Sequence, residues 1–299
     1  MSELSSPDLT LKAKTNRWKI FALLLFFALI FQWHRDFMDL IDGLSGKIFI
    51  GSMDIQGKIV NDNTQKERLA KLAEIAEDRR IAGLILHINS PGGTFVASQN
   101  LHNAISKVSS KKPVVVVMED LAASGGYMAA IAADHIIANP GTLTGSIGVI
   151  VQYFGISDLA QKIGVNMQSI KSSELKGTLS PFEKLSNKGE RAIKDVVDEM
   201  YQYFVRLVSK KRDMSFDEAI AISDGRVYTG EQALKIGLVD EVGGEDEALK
   251  WLSSKTDVIA VRDLNEKEGS FFKDFRLSKF ISSAVSFEEN LGLMAILNW

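Results

Sequence analysis

Gly83-Leu-Ile-Leu-His-Ile-Asn89 runs straight into Ser90-Pro91-Gly92-Gly93, and further on Val114-Val-Val-Val-Met118 leads to Leu121-Ala-Ala-Ser-Gly-Gly126. Each stretch reads as an apolar strand that ends in a glycine-rich turn and opens a helix, over residues 93–108 in the first case and 127–133 in the second. A short continuous run of β-branched residues suits a strand buried on both faces, and such strands belong to parallel sheets covered by helices on each side. Upstream, Lys47-Ile-Phe-Ile-Gly51 reads as a strand before a helical stretch over about residues 64–80. Downstream come the strand His135-Ile-Ile-Ala138, a turn-rich segment to Gly148 and a strand-like stretch over 165–171. Polar helical patterns cover residues 188–212 and 215–222, and Thr229-Gly-Glu-Gln-Ala-Leu-Lys-Ile-Gly237 has the start and stop signals of a capped helix. The alternation predicts an α/β domain with a largely parallel sheet, without a 20–50-residue repeat or a low-complexity tract.

The 299 residues are 45% hydrophobic, enough for a sizeable core, and 35 Lys and Arg against 38 Asp and Glu leave a formal charge of −3. No basic field points to nucleic acid. There is no cysteine, which excludes a disulfide, a thiolate nucleophile and a cysteine zinc cluster, and only four histidines are present.

Residues 20–31 are twelve uninterrupted apolar residues, extended to sixteen by Trp18 and Trp33 if Lys19 snorkels. Sixteen helical residues rise about 24 Å against a hydrocarbon core of roughly 30 Å, so spanning requires local thinning or help from Phe37 and Met38. A cleaved secretory signal is the competing reading, but Gln32-Trp33-His34-Arg35-Asp36 offers no small-x-small cleavage site. Lys12, Lys14, Arg17 and Lys19 precede the stretch, and Asp36, Asp39 and Asp42 follow it. That asymmetry predicts a transmembrane helix with its N-terminus in the cytoplasm and the rest of the chain outside. The expected organisation is a cytoplasmic segment over 1–17, an anchor over 18–34, a linker over 35–45, a main α/β domain over 46–262 and a tail over 263–299. In the tail, Leu277, Phe280, Ile281 and Ala284 follow a helical period, which suits packing on the body or a neighbouring subunit, or lying on a membrane.

Two glycine-rich turns after buried strands are expected side by side at the carboxyl edge of the sheet, where α/β proteins place their sites. Glycine there lets a backbone N–H face a developing negative charge without a Cβ in the way. The turns lack a Walker pattern and a G-x-G-x-x-G, so phosphate binding is the weaker choice and no cofactor or metal is expected. Ser124, between Ala123 and Gly125-Gly126, is the candidate nucleophile, although Ala122 breaks the G-x-S-x-G elbow pattern. His34 abuts the anchor, His87 falls within a strand, His102 in a helix and His135 at a strand start, and each reads as structural. A lysine is the alternative base; it must be neutral, which requires burial that lowers its pKa from about 10.4 toward about 7–8. Lys176, in Ser173-Glu-Leu-Lys-Gly-Thr-Leu-Ser-Pro181, stands out mainly by its setting. Ser173 and Lys176 also fit S-x-x-K, as do Ser109 and Lys112, but no K-T-G follows.

Gly83 to Gly93, Ala122 to Gly126, Thr144 to Gly148 (TGSIG) and Lys176 to Pro181 (KGTLSP) together resemble, in order, the blocks of the signal peptide peptidase A (protease IV) family of Ser-Lys membrane peptidases, in its short single-repeat form. The resemblance covers roughly residues 46–245. It implies the ClpP/crotonase-like spiral of ββα units, preceded by one transmembrane helix. It further implies Ser124 as nucleophile, Lys176 as general base, Ser146 aiming the lysine, and the N–H groups of Gly93 (or its neighbour Gly92) and Gly125 as oxyanion donors. Position 177 is Gly where the family pattern has Asp. Implied partners are hydrophobic peptides such as remnant signal peptides, the inner membrane with the catalytic domain on the extracytoplasmic side, and other copies of the chain in a ring where serine and lysine come from neighbouring subunits. The rivals are a Clp-type Ser-His-Asp peptidase, a crotonase-like acyl-CoA enzyme, and an inactive membrane-tethered scaffold or chaperone of the same fold.

Overall fold

The computed structural model describes residues 47–265 together with Phe26. The expected anchor apart from Phe26, the segments before and after it to residue 46, His34, and the tail from residue 266 lie outside the described residues. Among the described residues no helix is long and apolar enough to cross a membrane. The chain divides into units 1–49 and 50–299, and the account below concerns the second.

In chain order the elements are β1 (Phe49–Gln56), α1 (Asn63–Glu77), β2 (Ile81–Ser90), α2 (Phe95–Ser109), β3 (Val114–Ala123), α3 (Gly125–Ala130), β4 (His135–Ala138), β5 (Leu143–Gly145), α4 (Ser157–Lys162), α5 (Asn187–Lys211), α6 (Phe216–Ala221), β6 (Val227–Thr229), α7 (Gly230–Lys235), β7 (Glu241–Val242), α8 (Glu245–Thr256) and β8 (Val261–Asp263). The strands form one eight-stranded sheet in the order β6-β5-β3-β2-β1-β8, with β4 also on β3 and β7 on β4. β3 is the organising strand. Along one edge it pairs in parallel with β2, from Leu84↔Val114 to Ser90↔Ala122; along the other it takes β4 at Val115–Met118 and then β5 at Leu121–Ala123.

Residues 114–118 are all at most 3% exposed, because helices cover both faces of β3. With a period of two, Ile85, Val115, Val117 and Ile137 turn to one face, where Ala248 and Leu252 of α8 close a core layer. Leu84, Leu86, Ile88, Val114 and Val116 therefore fall on the other, and each is fully buried. Burial of each such side chain is worth about 1.5–3 kcal/mol. Helix starts follow their sequence signals: Asp62 caps α1, Ser186 caps α5, and Ser215 and Thr229 form capping boxes at α6 and α7.

The sheet is largely parallel, as expected, with one antiparallel pair, β5 with β6, through Leu143↔Thr229 and Gly145↔Val227. One expectation is corrected. Residues 165–171 form no strand: Val165 and Met167 start an alternation that Ile170 breaks, no strand edge pairs with them, and all three are exposed. A β-strand without a hydrogen-bonding partner has nothing to hold it extended.

Candidate active site

β3 ends at Ala123, and Ser124 turns the chain into α3 with φ 53° and ψ −118°. A non-glycine residue held there costs of order 1–3 kcal/mol and persists only when its surroundings enforce it. They do. Ser124 N–H donates to Gly145 O at 2.8 Å, and Ser124 O accepts from Met128 N–H at 2.9 Å. A Cβ on Gly125 would lie 2.1 Å from Ser98 Oγ, and one on Gly126 2.7 Å from Ser90 O, so only glycine lets α3 start this close to α2 and β2. The Ser124 hydroxyl makes no capping bond to its own helix. The result is a strained strand-to-helix elbow with Ala122 where the G-x-S-x-G pattern has glycine. Gly125, as the first helical residue, keeps an N–H that the helix cannot use.

The Ser90–Gly93 turn lies against this elbow. Gly92 has φ +89°, and a Cβ there would approach Gly125 N to 2.5 Å. Gly92 N–H donates to Ser90 Oγ at 3.1 Å inside the protein. Ile59 flanks the turn: its N–H donates to Gly92 O and its carbonyl accepts from Thr94 N–H, both at 2.9 Å. Gly93 is exposed, and its N–H has no partner among the described residues.

β5 brings up a third turn. Gly145 has φ +81°, and a Cβ on it would meet the Tyr228 ring at 2.7 Å. Ser146 follows with φ 48°, its N–H on Arg226 O at 2.8 Å. Ser124, Gly125, Gly92, Gly93 and Ser146 are thus gathered at the carboxyl ends of β2, β3 and β5.

Lys176 is hydrogen-bonded to none of them. It lies exposed on a turn, its N–H on Ser173 O at 3.1 Å and Gly177 beside it at φ +73°, and its ammonium has no bonded partner among the described residues. Around it, residues 149–182 hold Ile150, Phe154, Leu159, Ile163 and Ile170 at 60–106% exposure. The other S-x-x-K pair is structural: Ser109 Oγ donates to Asp134, and Lys112 Nζ donates to the carbonyls of Ile75 and Asp78, each at 2.7 Å.

The described histidines are engaged elsewhere. His102 is buried beneath α3, with Nδ1 2.8 Å from Met128 O and Nε2 3.5 Å from Ser106 Oγ. Burial holds its imidazole below the ordinary value, the Met128 carbonyl pulling the other way and Lys211 adding slightly to the depression. His135 stacks on Trp251 with centroids 5.0 Å apart and meets Glu241 at 3.2 Å. His87 lies within β2, paired with Val117. Among the described residues no group of three or more His, Asp or Glu is arranged to hold a metal ion.

The profile of peptidase family S49 matches residues 106–259. A putative protease of Methanocaldococcus jannaschii is 37% identical over 221 residues, covering 72% of this chain and 70% of that protein. A putative protease of Synechocystis sp. is 32% identical over 255 residues, covering 84% and 90%. A putative signal peptide peptidase SppA of Enterococcus faecium is 36% identical over 205 residues, covering 67% and 60%. Among solved structures, a serine-to-alanine variant of the membrane-bound stomatin-specific protease 1510-N superposes with a TM-score of 0.48 at 21% identity, over 74% of this chain and 99% of that one. The chain belongs to peptidase family S49 and is a serine peptidase.

Proposed function

We propose that this serine peptidase works through a Ser-Lys dyad, with Ser124 as nucleophile, Lys176 as general base, and the N–H groups of Gly93 and Gly125 holding the oxyanion. The observation that carries the reading is the elbow: Ser124 keeps a strained backbone and an unbonded hydroxyl beside two turns with free amides. Neutral Lys176 takes the Ser124 proton, the alkoxide attacks a peptide carbonyl, and the two amides stabilise the tetrahedral oxyanion. Lys176 then protonates the leaving amine, and water hydrolyses the acyl-enzyme by the reverse proton transfers. Ser146, one residue past the strand pair of Ala123, is suited to hydrogen-bond the lysine amine and aim it.

The base arrives from a neighbouring copy in an assembled ring. What supports this is the exposure of Lys176 together with the apolar residues around it, which a partner would cover. Assembly also supplies the dry setting in which a lysine can act as a base. Residues 18–34 anchor the chain in the inner membrane, N-terminus in the cytoplasm, with the catalytic domain on the extracytoplasmic side. Substrates are hydrophobic peptides released near that membrane, remnant signal peptides foremost.

The test is labelling of the assembled protein with a fluorophosphonate followed by peptide mapping, repeated on Ser124→Ala and Lys176→Ala. Label at Ser124, lost in both variants, is the expected result. A folded, oligomeric wild type that neither labels nor cleaves a hydrophobic peptide between pH 7 and 10 would return the chain to the scaffold reading. Loss of activity in His135→Ala with Lys176→Ala active would return it to a histidine-based triad.

A further inference from the structure

The double-glycine turn offers two successive amides, and only one can point outward. Ser90, at the end of β2, is completely buried, and its Oγ accepts the Gly92 N–H at 3.1 Å. This two-residue closure is the hydroxyl turn that serine forms with its own backbone. The Gly92 carbonyl is fixed as firmly by Ile59 N–H. With both polar groups of Gly92 bonded inside, the chain presents the next amide, that of Gly93, to the surface beside Ser124. Ser90 is itself clamped. It sits opposite Ala122 in the β2–β3 register, just past the irregularity after Ile88, and its carbonyl is near enough to Gly126 that a Cβ there would come within 2.7 Å. The acceptor is therefore referenced to the same backbone that carries the nucleophile.

We infer that Ser90 is a positioning residue for the peptidase reaction: its hydroxyl removes the Gly92 N–H from the site and sets the Gly93 N–H as the oxyanion donor. The inference rests on the proposed roles of Ser124 and Gly93. Without the hydroxyl, the buried Gly92 N–H is left without a partner, and the turn relieves that by rotating the amide toward solvent or the site. The Gly93 N–H then loses its aim. Because the oxyanion exists only in the transition state, the loss falls on the chemical step and not on peptide binding.

The experiment compares wild type, Ser90→Ala and Ser90→Thr in the full-length assembled protein, using a hydrophobic peptide substrate, the matching peptide aldehyde, and the matching peptide alcohol. The aldehyde forms a tetrahedral adduct on the serine and so reads the oxyanion donors; the alcohol reads ground-state binding. For Ser90→Ala, kcat is expected to fall about 10–100-fold with KM unchanged, short of the about 10²–10³-fold that removing a donor outright costs. Aldehyde affinity should fall by the same factor and alcohol affinity should hold, while Ser90→Thr, which keeps the hydroxyl, recovers most of both. Equal losses for aldehyde and alcohol, or no loss in kcat, would overturn the inference. If Ser90→Ala does not fold, Ser90→Cys, similar in size but a poorer acceptor, carries the same comparison. Failure of the wild type to form an aldehyde adduct at Ser124 would instead sink the underlying assignment of the nucleophile.

Discussion

Ser124 and Ser146 leave adjacent parallel strands at the same level, one residue past the pair Ala123↔Gly145, each with a left-handed backbone at φ 53° and 48°. The bond from Ser124 N–H to Gly145 O, 2.8 Å, ties the two turns together. Neither conformation is comfortable for a residue with a Cβ, yet glycine stands at neither position. If the hydroxyls were dispensable, glycine would serve both places better.

That gives the first prediction. Ser124→Gly and Ser146→Gly should leave the thermal midpoint unchanged or raise stability by up to about 1 kcal/mol, because relief of the left-handed strain exceeds the backbone entropy glycine adds. Ser124→Gly should abolish hydrolysis, and Ser146→Gly should lower kcat at least about 10-fold. Scanning calorimetry beside peptide turnover reads both, and a Ser146→Gly enzyme of full activity would remove Ser146 from the proposed lysine-aiming role.

Gly92→Ala should be costly in both respects. The residue has φ +89°, and its Cβ would press to 2.5 Å from Gly125 N, backbone that has no room to retreat. Left-handed strain and overpacking together predict a loss of about 2–4 kcal/mol in urea unfolding. Gly57, also at positive φ but with open space around it, is the control and should lose only the strain part.

The shared-site reading predicts complementation. Ser124→Ala and Lys176→Ala proteins, each inactive alone, should regain a fraction of wild-type turnover when dissociated and reassembled together, because mixed rings contain interfaces with both an intact serine and an intact lysine. A dyad closed within one chain would give no recovery.

The exposed segment predicts the mode of assembly. Ile170 is wholly exposed in the single copy, so Ile170→Asp should change the stability of the fold by less than about 0.5 kcal/mol. It should nevertheless shift the protein to smaller species in sedimentation velocity and reduce activity in parallel. An unchanged oligomer would exclude this residue from the interface.

His102 predicts a pH dependence of stability. Its folded-state value is depressed by burial, so between its ordinary value near 6.5 and the lower folded one the unfolded chain holds more protons than the native protein. Stability is therefore lost as pH falls through about 6.5 and below. Urea midpoints measured from pH 7.5 to 5 should decline in the wild type and decline less in His102→Asn, a side chain that keeps a donor for Met128 O.

What could be read from the sequence follows where the local signals are strong. The buried β-branched run of β3, the turns at Gly92 and Ser124, and the capped helices are legible because sterics and punctuation act within a few residues. The short strands β5, β6, β7 and β8, of two or three residues, carry no period, so the antiparallel β5–β6 pair behind Ser146 was invisible. Val165 and Met167 give residues 165–171 only the start of a strand's alternation, Ile170 breaks it, and no strand edge pairs with them. Two identical residues offer no basis for choosing between the Gly92 and Gly93 amides; the bond from Gly92 N–H to Ser90 Oγ, which supports the proposed choice of Gly93, exists only in the folded turn.

One consequence lies in how the chain divides its tasks. The double-glycine turn, the elbow and Ser146 fall within residues 90–146, locked into a sheet where a single added methyl collides with backbone. Lys176 rides on residues 149–184, where the only regular element is the six-residue helix α4. Changes of length disturb an exposed loop less than a packed sheet, so across descendants of this chain the serine half should stay fixed while the lysine-bearing half, outside Lys176 and the residues a partner covers, varies more in length. New specificities would then arise by remodelling the arm around an inherited nucleophile.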